Sequence, residues 1–89
     1  MGYVKPDLVT SPKGRISDLE VIYDGGEGSW SLARMKWDGE ESVGLRWNGG
    51  SDDHIGNPQS RGVPTWFILP DEIARVVIDI IRLHNEISS

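Results

Sequence analysis

Cysteine is absent from the 89 residues, which removes disulfides, thiolate zinc sites and a Cys nucleophile at once. No apolar run approaches the length of a membrane span, and Met1-Gly-Tyr-Val-Lys lacks the core of a signal peptide. A cytoplasmic protein without membrane contact is the expectation. A catalytic signature is missing too. Ser29, Ser31 and Ser60 have no nearby His–acid arrangement to activate them. Asp52-Asp53-His54 offers hard-metal or hydrolytic groups, but nothing adjacent in sequence completes a ligand set, and the turn-like reading prevails. The glycines of Asp24-Gly-Gly-Glu-Gly-Ser29 do not match GxGxxG, and a strand follows where a phosphate loop needs a helix. No enzyme, no cofactor and no metal are therefore expected.

What is present is one domain's worth of chain, with four Trp supplying much of the available burial. The net charge of −5 argues against a nonspecific duplex-DNA binder, whose affinity comes from neutralising phosphates. That total conceals a local pattern. Acids Asp18, Glu20, Asp24 and Glu27 crowd residues 16–29, whereas residues 30–37 carry Arg34 and Lys36 and no acid.

Residues 1–15 show no periodicity and read as a flexible N-terminal arm; residues 16–89 read as a single domain. Leu19, Val21 and Tyr23 alternate with Asp18 and Glu20, a half-buried strand over Ile16–Tyr23. The run Trp30–Trp37 predicts a second strand, Asp38-Gly39 a hairpin turn, and Ser42–Asn48 a third strand. A long connection, 49–63, precedes a fourth strand over Thr65–Leu69. Pro70 then opens a helix reaching about Glu86, with Asp71 and Glu72 favoured in its first turn.

Within that helix Glu72, Arg75, Asp79, Arg82 and Glu86 form one narrow polar stripe of alternating sign, and nearly everything around it is apolar. One sheet face cannot bury so wide an arc. The simplest partner is a second copy, which predicts a homodimer joined through Ile73, Val77, Ile80, Ile81 and Ile87. The alternative is a curved sheet wrapping the helix within one chain.

Strand alternation places Ala33, Met35 and Trp37 on one side and Trp30, Leu32, Arg34 and Lys36 on the other; Val43, Leu45 and Trp47 separate from Arg46 likewise. Matching the apolar sets under the helix predicts Arg34, Lys36 and Arg46 projecting together, with Trp30 at one end. The period leaves open whether Trp66 or Phe67 faces the core. With Trp66 outside, the face holds two indoles and three cations, a surface suited to stacking bases and tracking phosphates. The alternative is that the cations blunt the sheet and the indoles fill core edges.

Four strands, a C-terminal helix suited to dimerisation, the phrase Gly44-Leu-Arg-Trp47 and the sequence Leu69-Pro-Asp-Glu72 resemble the transcriptional positive-cofactor-four family and its bacterial relatives. The resemblance covers Ile16–Ile87 as an order of elements. It implies a curved antiparallel sheet that binds single-stranded nucleic acid, with Arg46 and Trp47 as matched positions and the strand-two cations more loosely. The family's Lys-rich run before the last strand is represented here only by Arg61-Gly62. The combined expectation is an α+β protein: a four-stranded antiparallel meander packed by one C-terminal helix. It is expected to act as a non-enzymatic binding module for single-stranded nucleic acid through Trp30, Arg34, Lys36, Arg46 and Trp66. The competing expectation is a protein–protein adaptor or accessory factor using the sheet face or the 49–63 loop.

Overall fold

A computed structural model describes residues 3–50 and 54–88, with side chains described as far as residue 85. Its organising element is a hairpin. Asp38 and Gly39 hold φ of 53° and 84°, the left-handed pair that a two-residue hairpin turn requires. The turn joins β2 (Trp30–Trp37) to β3 (Glu40–Trp47) and pairs Trp37 with Glu40. Every later partnership follows: Arg34 faces Val43, Leu32 faces Leu45, and Ser31 faces Arg46.

β1 (Ile16–Asp24) lies antiparallel on the other side of β2. Its pairing slips twice, around Asp18, whose φ is 54°, and between Val21 and Tyr23. The second slip changes the strand's facing. Leu19 and Val21 pack on one side of the sheet, Ile22 and Tyr23 on the other. The simple alternation that grouped Leu19, Val21 and Tyr23 is thereby corrected.

β4 (Gln59–Ser60) and β5 (Val63–Pro64) form a separate small ladder largely within the 49–63 connection. β6 (Phe67–Ile68) completes the main sheet against β3, giving the order β1-β2-β3-β6, all antiparallel. The chain then turns directly into α1 (Asp71–Ser88), whose first turn is closed by the Ala74 N–H donating to the Pro70 carbonyl at 2.9 Å. The expected α+β meander with one C-terminal helix is the fold observed.

Both faces of the sheet are apolar. Under α1, Leu32, Val43 and Leu69 meet Ala74 and Ile81, with Val77 and Ile78 packed alongside. On the opposite face Ala33, Met35 and Trp66 meet Val9, with Val4, Leu19, Val21 and Ile68 around them. That second layer is the N-terminal segment, read from sequence as a loose arm. It includes a 3-10 turn, Pro6–Leu8, and both Pro6 and Val9 are buried. β2 is consequently packed from both sides, and Leu32 and Ala33 are neighbours without solvent exposure.

Candidate interaction surface

The five residues expected to share one open face are divided by the hairpin register. Directly opposed residues on antiparallel strands point to the same side. Arg34 goes with Val43, on the helix side; Arg46 goes with Ser31, on the arm side. Arg46 and Arg34 therefore cannot act on one ligand surface.

Arg46 is only 2% exposed. Its guanidinium reaches the chain that carries the β4–β5 ladder: Nη1 donates to the carbonyls of Thr65 at 2.6 Å and Pro58 at 3.3 Å, and Nη2 to that of Ile55. Nε has no partner among the described residues. Burial without a carboxylate partner pushes the guanidinium pKa down from its ordinary value. This arginine is a clamp on its own loop. Gly56 lies so close that a methyl group there would meet the Arg46 guanidinium and the Trp47 carbonyl.

Trp66 is 4% exposed and sits under the arm, its indole N–H donating to the Val9 carbonyl at 2.7 Å. Its neighbour Phe67 points the other way and is 58% exposed. Trp30 is half-buried against Tyr23, with ring centroids 4.7 Å apart. Arg34 is exposed and Lys36 partly so, but acids adjoin both. Glu20 stands opposite Arg34 on β1, Glu41 stands opposite Lys36 on β3, and the Asp18 carboxylate lies 3.6 Å from Lys36 Nζ. The local positive run of β2 is thus balanced once its neighbours are beside it. Of the five, the helix side of the sheet keeps Trp30, Arg34 and Lys36, and the arm side takes Arg46 and Trp66.

The expected dimer positions are redistributed as well. Ile81 is buried in the protomer's own core, and Val77 packs against that core. Ile87 lies outside the described side chains. Ile73 and Ile80 remain outside, joined by Val76 and Leu83; the four are 50% to 58% exposed. Positions 73, 76, 80 and 83 follow the 3-4-3 interval of a seam that meets another helix. Asp71 and Ala74 border a small hollow with Arg34 and Glu41. Near the other end of the helix, His84 meets the Tyr23 ring edge-on at 6.4 Å. Periodicity alone does not single out Val76, Leu83 and Phe67, although the 3-4-3 interval lies within the apolar arc of the helix.

No other chemistry assembles nearby. Asp52 and Asp53 lie outside the described residues, and among the described residues no three His, Cys, Asp or Glu side chains converge on a metal-sized site. Among those residues, no helix is long and apolar enough to cross a membrane. Comparison with protein-family models, curated proteins and solved structures finds no match to this chain.

Proposed function

We propose that this protein is a non-enzymatic interaction module that works through protein–protein contact, and that its first partner is a second copy of itself. The observation that carries this reading is the exposed stripe Ile73, Val76, Ile80 and Leu83 on a helix whose other apolar face is already occupied. Scattered exposed aliphatics are ordinary on a protein surface, but a continuous row at heptad spacing is the pattern that pairs helices. Phe67, paired with Leu45 on the helix side of the sheet, is a further exposed apolar side chain. Isologous pairing lets one such surface cover itself, so a single sequence feature serves both protomers.

Single-stranded nucleic acid, the leading expectation from sequence, keeps part of its support. Trp47 and Phe67 are each 58% exposed and offer stacking faces. Its cationic half is weaker, because Arg46 is enclosed and Arg34 and Lys36 have acids beside them.

Light scattering on the purified chain is the test. The wild type should show twice the mass of the 9.9 kDa chain, and Ile80→Glu should show the single mass with its unfolding midpoint unchanged by more than about 0.5 kcal/mol. A wild type that is monomeric at concentrations of about 100 μM, some hundred times a micromolar Kd, removes the self-association reading. A labelled oligonucleotide added to the same samples decides the second reading. Binding that weakens steeply with salt would transfer the function to nucleic acid.

A further inference from the structure

Beside the exposed apolar row of α1 runs its polar stripe. At about 100° per residue, Glu72, Arg75, Asp79 and Arg82 border Ile73, Val76, Ile80 and Leu83 on the flank away from the buried Ala74 and Ile81. All four polar residues are exposed, and their signs run minus, plus, minus, plus. Opposite charges three and four apart are placed to pair along one helix. Yet no ion pair joins these four within the protomer, whose described ion pairs are Arg15–Asp38 and Lys36–Asp18.

A two-fold pair of such helices has two orientations, and the stripe distinguishes them. In a parallel pair the two stripes fall on opposite sides, and the acids Glu72 and Asp79 lie against the partner's core flank, where no cation meets them. In an antiparallel pair both stripes lie on the same side. Centred at the level of Ile78, the apolar row then matches itself: Ile73 comes level with the partner's Leu83, and Val76 with the partner's Ile80. At roughly 1.5 Å of rise per residue, Arg75 stands within about 3 Å along the axis of the partner's Asp79, and Glu72 within about 3 Å of the partner's Arg82. Asp79 nears its own copy by the same offset, but the partner's Arg75 flanks it there.

We infer that two copies of this chain pair antiparallel along α1, the apolar rows meeting in that register. Arg75 pairs with the partner's Asp79 and Glu72 with the partner's Arg82, each contact being made twice. This pairing rests on the self-association proposed above and adds its orientation. Apolar area alone is indifferent to direction, whereas the alternating charges are complementary in one direction only.

The absence of cysteine lets single thiols report the geometry. Ile73→Cys and Leu83→Cys are purified separately and weighed by light scattering under reducing conditions. They are then oxidised alone and as a subunit-exchanged mixture. A disulfide needs Cα atoms within roughly 7 Å. Positions 73 and 83 meet across the antiparallel seam, whereas two copies of either stand about 15 Å apart along the axis. The mixture should give the mixed crosslink, and neither variant alone should crosslink to itself. In the otherwise unaltered chain, Arg75→Asp and Asp79→Arg should each raise the dimer Kd at least about fivefold, and both together should return it to within about twofold. Should a cysteine variant lose the doubled mass, these charge variants decide alone. Homotypic crosslinks, or no mixed crosslink, in a protein that stays dimeric overturn the antiparallel pairing and leave self-association standing. So does a dimer indifferent to the single charge changes or not restored by the double one. A wild type that is monomeric at about 100 μM removes both readings together.

Discussion

The indole N–H of Trp66 donates to the carbonyl of Val9 across fifty-seven positions of sequence, at 2.7 Å. This bond joins the last strand region to the N-terminal segment and closes the second face of the sheet. It makes the segment around Val9 part of the fold. Trp66→Phe keeps most of the apolar volume but leaves the Val9 carbonyl without its donor. It should cost about 1–3 kcal/mol in urea unfolding. The adjacent Phe67→Ala, made in the Ile80→Glu background to exclude association, should stay within about 0.5 kcal/mol because that ring is exposed. Equal effects at the two positions would contradict the opposed orientations.

Arg46 should behave as a structural residue. Arg46→Met removes the donor to the carbonyls of Thr65, Pro58 and Ile55 while keeping a long apolar stem. A loss of about 3 kcal/mol is expected. Arg34→Ala, on the exposed side, should change stability by no more than about 0.5 kcal/mol. A stable Arg46→Met protein with unaltered amide exchange in residues 55–65 would show that the clamp is not what holds that loop.

Gly44 is buried between two side chains. A methyl group there would stand 2.8 Å from Met35 Cε and 3.0 Å from Trp66 Cβ. Met35 is flexible, but Trp66 is held in place by its bond to Val9, so the strain has one outlet. Gly44→Ala should destabilise by about 1–3 kcal/mol in urea unfolding, and adding Met35→Val should recover part of the loss.

Two exposed pairs give opposite pH signatures. Tyr3 is pushed above the ordinary phenol value by desolvation and by its hydrogen bond to Asp24, whose Oδ2 it reaches at 3.0 Å. A raised folded pKa means that its stabilisation is full below the ordinary phenol value and fades as pH rises through the folded one. Asp38 is held below its ordinary value by two hydrogen bonds from Arg15, at 3.0 and 2.8 Å. Its contribution is present above the ordinary carboxylate value and is lost as pH falls through the folded one. Both effects should be small at such exposed positions. In a Tyr23→Phe background, phenolate absorbance should report Tyr3 alone. Asp24→Asn should bring its titration back towards the ordinary value without reaching it, since desolvation remains. An unmoved titration would rule out the Asp24 contribution.

Much of the architecture can be read from local pattern, because its causes are local. Asp38-Gly39 dictates a two-residue turn, β-branched and aromatic alternation dictates strands around it, and Pro70-Asp-Glu72 starts a helix whose apolar arc is too wide for one sheet. The same turn also contained the answer to the facing of β2 and β3. A two-residue loop pairs 37 with 40, hence 34 with 43 and 31 with 46, which places Arg34 and Arg46 on opposite sides. Choosing faces by apolar content alone missed it, because β2 is apolar on both.

What tertiary structure alone decided was which apolar surface meets which. The slip between Val21 and Tyr23 depends on pairing energies along the whole β1–β2 edge, so period two could not disclose it. The arm carries no periodic signal; its place follows from Val9 and Trp66 meeting across the chain. Along α1 the sequence sets the total apolar arc. Only packing against Leu32, Val43 and Leu69 determines that Ala74 and Ile81 are consumed while Ile73, Val76, Ile80 and Leu83 are left outside. A hydrophobic side chain has no built-in preference between its own core and a partner's, since burial is non-directional and proximity settles it.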